Sequence, residues 1–143
     1  MLTLVSVAFI FALINKVSAN PGQEYWAPAQ MVEPADLNKT LNNPKAKQPV
    51  IFCIGPSAVI KNSIDIGPGY DKANINKLKQ QLNKLPKNTN IIFYCGCCPY
   101  ERCPNIRPVY RLMNEMGFTN HHLLNLPRNI KVDWIDKGYA VKG

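Results

Sequence analysis

Three short apolar runs separated by stretches of helical periodicity organise this chain. Residues 49–54 read Pro-Val-Ile-Phe-Cys-Ile and stop at Gly55-Pro56, the pattern of a buried strand. Residues 91–94, Ile-Ile-Phe-Tyr, predict a second buried strand that ends directly at Cys95. Residues 122–126, His-Leu-Leu-Asn-Leu, predict a third. Between the first two runs, Ile75, Leu78, Leu82 and Leu85 recur at helical spacing with Lys and Gln between them, so residues 74–85 predict an amphipathic helix. Residues 108–116 predict another, with Asn105 as its cap and Gly117 closing it. Residues 131–137 predict a last short helix around Trp134, stopped by Gly138. Ahead of the first strand, Pro34 suits the first position of a helix over 34–41, which Pro44 and Pro49 end. Gly67-Pro68-Gly69 and residues 86–90 punctuate the chain as loops. Strand, helix, strand, helix, strand is the order of an α/β fold with a central parallel sheet flanked by helices. Ligands in such folds sit beyond the carboxyl ends of the strands, which is where Cys95 falls.

Composition adds boundaries. The chain has 143 residues, 46% hydrophobic and 18% charged, enough apolar material for one folded domain. Residues 1–19 stand apart: an apolar run from Leu2 to Ile14, then Val17-Ser18-Ala19, resembles a signal peptide cut before Asn20, although no Lys or Arg precedes the run. The run is shorter than the ~20 residues that span a bilayer, so no stable membrane insertion is expected once the leader is cut. This predicts a periplasmic or secreted protein, with residues 20–48 as an N-terminal segment holding one short helix and residues 49–143 as the domain. The net charge of +8 comes from scattered lysines without interleaved aromatics. That argues against a nucleic-acid surface and reads first as a solvated basic face, with a mild field attracting small anions as the functional alternative.

The candidate chemistry is concentrated. Of five cysteines, Cys95, Cys97, Cys98 and Cys103 fall within nine positions, a local site rather than a disulfide framework for the whole fold. Cys53 lies inside an apolar strand and reads as a core residue. A cysteine at a strand end, followed by a loop into a helix N-terminus, meets backbone N–H groups and a positive helix end. That field favours thiolate, so its pKa is expected to fall. Arg102 and Arg107 add fixed positive charge suited to an oxyanion. A tyrosine-phosphatase cradle would need Arg six residues after its cysteine; those positions hold Glu101, Cys103 and Pro104.

The block Tyr94-Cys-Gly-Cys-Cys-Pro-Tyr-Glu-Arg-Cys-Pro-Asn-Ile-Arg-Pro108, followed by Gly117-Phe118, Asp133-Trp134 and Lys137-Gly-Tyr-Ala-Val141, resembles the second half of a rhodanese-like domain. More closely, it resembles a cysteine-rich branch of exported bacterial rhodanese-like proteins. The resemblance spans residues 49–142 and implies a three-layer α/β fold. It also implies a sulfurtransferase in which the strand-end cysteine carries sulfane sulfur as a persulfide. A small anionic sulfur donor and a thiol or cyanide acceptor would be its partners, with a protein thiol as a further candidate, and no organic cofactor or metal is implied. The loop is about five residues longer than the family's usual one. Cys53-Ile54-Gly55 stands where the family has Asp-x-Arg, and its His-Ile-Pro-Gly-Ala is only faintly echoed at Ser63-Ile64 and Gly67-Pro68-Gly69.

Carried onto this chain, the nucleophile is Cys95 by its place at the strand end. Cys97 competes because Arg102 follows it by five residues. Gly96, Cys97, Cys98, Arg102 and Arg107 would bind substrate, and Cys98 or Cys103 would act as a resolving thiol or in a disulfide pinning the loop. Three other readings compete. Cys95-Gly-Cys-Cys98 is formally a Cys-x-x-Cys of a thiol–disulfide redox protein, though late in the chain for that fold. A non-catalytic rhodanese-like binding module needs only the loop. A metal or cluster site on the four cysteines is disfavoured because adjacent Cys97 and Cys98 rarely hold one ion without strain.

Overall fold

The computed structural model describes residues 22–143, and the leader assigned to residues 1–19 lies outside them. Five strands form one wholly parallel sheet: β1 (Met31–Val32), β2 (Val50–Cys53), β3 (Ile64–Asp65), β4 (Ile91–Tyr94) and β5 (His121–Leu124), in the order β1-β5-β4-β2-β3. Four helices connect them: α1 (Pro34–Leu41), α2 (Lys72–Leu82), α3 (Ile106–Glu115) and α4 (Ile130–Asp133). Side chains alternate across a strand, and the central strands are apolar on both faces. Phe52, Phe93 and Leu123 pack under α2 and α3; Ile51, Ile92, Tyr94 and Leu124 pack against α1 and Trp134. The result is three layers with a core on each side of the sheet. Among the described residues, no helix is long and apolar enough to cross a membrane.

The predicted elements form where periodicity placed them, with shifted ends. α2 starts earlier because Asp71 accepts a hydrogen bond from the Ala73 N–H at 2.8 Å. α3 begins at Ile106, not at residue 108, which puts Pro108 in the first turn, where its missing N–H leaves nothing unpaired. The last helix is two pieces, α4 and a 3₁₀ turn over Ile135–Lys137, parted at Trp134. The indole there is fully buried and donates to the Ala140 carbonyl at 3.1 Å. Strands β1 and β3 were absent from the sequence reading. Each is two residues long and forms only because a neighbouring strand offers a free edge.

The segment before residue 49 is built into this core. β1 pairs with β5, α1 buries Leu37 and Leu41, and Trp26 is fully buried against Phe93, Tyr110 and His121. His121 and His122 both belong to β5, which starts one residue before the predicted strand, and His121 is buried. The Trp26 Nε1–H donates to His121 Nδ1 at 2.9 Å, which requires that nitrogen to be unprotonated. Burial, with His122 beside it, lowers the His121 pKa to about 4. Between pH 6.5 and about 4 the unfolded chain therefore binds the extra proton and the folded one does not. Stability is expected to fall through that window on acidification, by up to about 3 kcal/mol. Urea unfolding at about pH 7 and about pH 5 checks this; an unchanged midpoint, corrected with a His121→Gln control, would refute it.

Candidate functional site

Strand β4 delivers Cys95 to the carboxyl edge of the sheet, on the α2–α3 face. Cys53 lies on the opposite face, in the α1 core, so the sheet separates it from the other four thiols. The chain then turns sharply at Gly96, whose φ of +76° favours glycine. A Cβ there would sit 2.6 Å from the Ile130 Cβ, and the Gly96 carbonyl accepts the Ile130 N–H at 2.9 Å. Behind the strand end, a Cβ on Gly55 would collide with the Cys95 carbonyl, so two glycines shape the backbone around this cysteine. A 3₁₀ turn over Tyr100–Arg102 carries the loop back, and α3 begins just beyond Cys103.

This return path gathers the sulfurs. The Sγ atoms of Cys95, Cys97 and Cys103 all lie within 4.8 Å of one another. Cys97 is the hub, 3.3 Å from Cys95 and 3.8 Å from Cys103. Cys98 stands outside that trio, with its sulfur against Cys97 at 2.7 Å. Cys95 and Cys103 are buried, Cys98 is half-buried and Cys97 is exposed. Solvent therefore reaches the cluster at Cys97.

Asn105 joins the two buried thiols. Its position at the start of α3 agrees with the expected cap, but its side chain does not cap the helix. Nδ2 donates to the Cys95 sulfur at 3.2 Å and Oδ1 accepts the Tyr70 N–H at 3.2 Å, while its backbone N–H favours the Cys103 thiolate. Sequence reasoning gave Asn105 no chemical role, because its partner lies ten residues back across a fold-dependent turn. Asn105→Ala is expected to slow Cys95 alkylation by about 10- to 100-fold, the range seen when a reacting group loses its positioning. Alkylation kinetics with peptide mapping check it; wild-type rates would remove Asn105 from the site.

The ionisation pattern corrects one expectation. The lowered pKa falls on Cys103, not on Cys95. Cys103 is brought to about 5 because the Cys95 thiol donates toward it, reinforced by the Asn105 N–H and the neighbouring thiols, against the cost of burial. Cys95 is correspondingly raised, by sharing its proton with Cys103 and by burial, despite the Cys97 N–H and Asn105 amide that favour its anion. Cys98 is pushed up to about 12 by desolvation and its sulfur neighbours. The first charge of the pair thus sits on Cys103, beside the N-terminus of α3, and Cys95 holds the shared proton.

The two arginines divide. Arg102 is exposed on the 3₁₀ turn, and no ion pair to it forms among the described residues. Arg107, expected to hold an anion, already donates to three acceptors. Nε pairs with Glu24 at 3.0 Å, and the guanidinium donates to the Glu101 carbonyl at 2.9 Å and the Cys103 carbonyl at 3.3 Å. It also lies 5.0 Å from the centre of the Tyr25 ring. Arg107 therefore ties the cysteine loop to the N-terminal segment. Glu101 contributes its carbonyl, and its side chain is exposed. Beneath the loop, Cys95, Gly96, Cys98, Tyr100, Cys103 and Ile106 line part of a cavity of about 10 Å³, room for a single water-sized atom.

No protein-family model matches the sequence, and no curated protein or solved structure matches it either. Fold and site together define a parallel α/β protein with a thiol cluster at a strand-to-helix loop.

Proposed function

We propose that this protein is a rhodanese-like sulfurtransferase that carries sulfane sulfur as a persulfide on Cys95. The observation that carries the reading is the pairing at the end of β4: Cys95 with Asn105 Nδ2 at 3.2 Å and the Cys103 sulfur within 4.8 Å. In the first step the shared proton moves from Cys95 to Cys103, against its resting preference for Cys95, as the Cys95 sulfur engages the donor. The Cys95 thiolate, held by the Asn105 amide and the Cys97 N–H, attacks the outer sulfur of a donor such as thiosulfate. A new S–S bond forms, the donor's S–S bond breaks, and sulfite leaves with the electron pair. An acceptor thiolate or cyanide then attacks the outer sulfur. The Cys95 thiolate leaves and recovers its proton from Cys103. No external oxidant or reductant enters.

The cavity beside Cys95 supports transfer of one atom rather than a bulky group. Arg102 and the overall positive charge would draw an anionic donor to the exposed Cys97 side. The signal-peptide-like sequence of residues 1–19 supports a periplasmic or secreted setting for this chemistry. A second reading, thiol–disulfide exchange, is favoured by one specific contact, Cys95 against Cys97 at 3.3 Å. Here Cys97 or Cys103 resolves Cys95 more directly than Cys98 does.

Intact-protein mass spectrometry before and after thiosulfate separates the two. The expected result is a gain of about 32 Da, one sulfur atom, removable by cyanide and mapped to Cys95. Loss of hydrogens from the loop cysteines without sulfur gain would replace this reading with disulfide exchange. Because Cys103 must be a thiolate to accept the proton, loading is expected to fall as pH drops through about 5. A rate constant flat across that range would remove Cys103 as the base.

A further inference from the structure

The four loop cysteines look unpromising for metal as a string, because Cys97 and Cys98 are adjacent. The fold removes that objection. It selects one of the adjacent pair, Cys97, and completes the set with Cys95 and Cys103 from either end of the loop. We propose that these three sulfurs form a three-coordinate thiolate site for monovalent copper. Metal–thiolate bonds of ~2.3 Å place the sulfurs of a trigonal site about 4.0 Å apart. The trio has spacings of 3.3 and 3.8 Å about Cys97 and all pairs within 4.8 Å, so small side-chain rotations suffice.

The donor set decides between ions. Among the described residues, no His, Asp or Glu joins the three sulfurs. An all-sulfur, three-membered set suits a soft ion. Structural zinc takes four ligands in a tetrahedron, and Cys98 stands outside the mutual contact of the other three. Binding forms three Cu–S bonds, each thiol that is still protonated giving up its proton to solvent, with no change in oxidation state. The complex carries two negative charges, which the N-terminus of the ten-residue α3 partly offsets. Cys97 is exposed, giving the ion an entrance, while Cys95 and Cys103 shield it from below. Asn105 Nδ2, on the Cys95 sulfur, is a ready outer-shell donor.

This site does not rest on the sulfur-transfer reading, although copper and sulfane sulfur would compete for Cys95. The test is an anaerobic titration of the reduced mature protein with Cu(I) against a chromophoric Cu(I) chelator. Native mass spectra give the stoichiometry and X-ray absorption gives the ligand shell. One copper per chain with a shell of three sulfurs is expected. Cys97→Ser, at an exposed position that leaves the core untouched, should weaken binding by more than about tenfold, beyond an outer-shell loss. Cys103→Ser should do the same, with circular dichroism confirming its fold, and Cys98→Ser and Cys53→Ser should bind as wild type. Equal loss in Cys98→Ser, wild-type binding in Cys97→Ser, or preference for Zn(II) over Cu(I) would each overturn the proposal. Thiosulfate loading measured on the same apoprotein keeps the outcomes apart: failed loading with copper still bound sinks only the transferase reading, and lost copper with loading intact sinks only this one.

Discussion

Cys95→Ser should bring sulfur loading from thiosulfate down by at least about 10³-fold, to the level of a chain without a nucleophile. A serine hydroxyl stays protonated at neutral pH and is a poor nucleophile toward sulfur. The substitution is nearly isosteric, so the Asn105 amide keeps an acceptor and the loop keeps its shape. Cys53→Ser is the matching control. Its thiol is buried on the other face of the sheet, 3.8 Å from the Gly55 carbonyl just beyond β2, and its pKa is raised by desolvation. It should load like wild type if it folds. Cys97→Ser settles the remaining ambiguity. Because Cys97 is exposed and 3.3 Å from Cys95, it can receive sulfur first and pass it inward. If Cys97→Ser abolishes loading while Cys95→Ser retains it, the nucleophile lies two positions on and the strand-end argument fails.

Trp26→Ala is expected to destabilise the fold by about 3–5 kcal/mol, as large-to-small changes at fully buried aromatic sites do. Two losses combine. The indole packs at a tilt against Phe93 at 5.6 Å and meets Tyr110 edge-on at 5.1 Å, so its removal opens a hole in the α2–α3 core. It also leaves the buried His121 Nδ1 without its 2.9 Å donor. Trp26→Phe fills most of the volume without the N–H, and should cost about 1 kcal/mol. Urea unfolding measures both. A loss below about 1 kcal/mol for Trp26→Ala would mean that residues 22–48 dock on a domain already stable without them. The site has a stake in the answer: Tyr25 packs on Tyr100 at 6.1 Å and Glu24 pairs with Arg107, so the same segment steadies the cysteine loop.

Local pattern was enough for the elements that bury a face. The apolar runs at β2 and β4, short and sharply ended, read as interior strands, and the spacing of Ile75, Leu78 and Leu82 makes α2 an amphipathic helix. Gly117 and Gly138 take the left-handed backbone that ends a helix or turn, as their positions implied. The strand-end place of Cys95 also followed from sequence, because a run of four apolar residues with a cysteine after it leaves no other register. Pattern failed where partners are distant. Met31-Val32 and Ile64-Asp65 have no periodicity of their own and become strands only by pairing with edges built elsewhere. His121 looks polar until Trp26, 95 residues away, supplies its hydrogen bond.

What the sequence by itself determined is the α/β alternation, the strand that ends at Cys95, and the concentration of thiols just after it, since all three are written in contiguous residues. Only the tertiary structure decided which thiols meet, which one carries the charge, and what the charged side chains do. Arg107 reads as an anion binder until Glu24 and two loop carbonyls occupy it, and Asn105 reads as a helix cap until its amide reaches Cys95. The reason is that a thiol's ionisation depends on donors and burial within a few ångströms, and those neighbours are assembled by the fold rather than by adjacency in the chain.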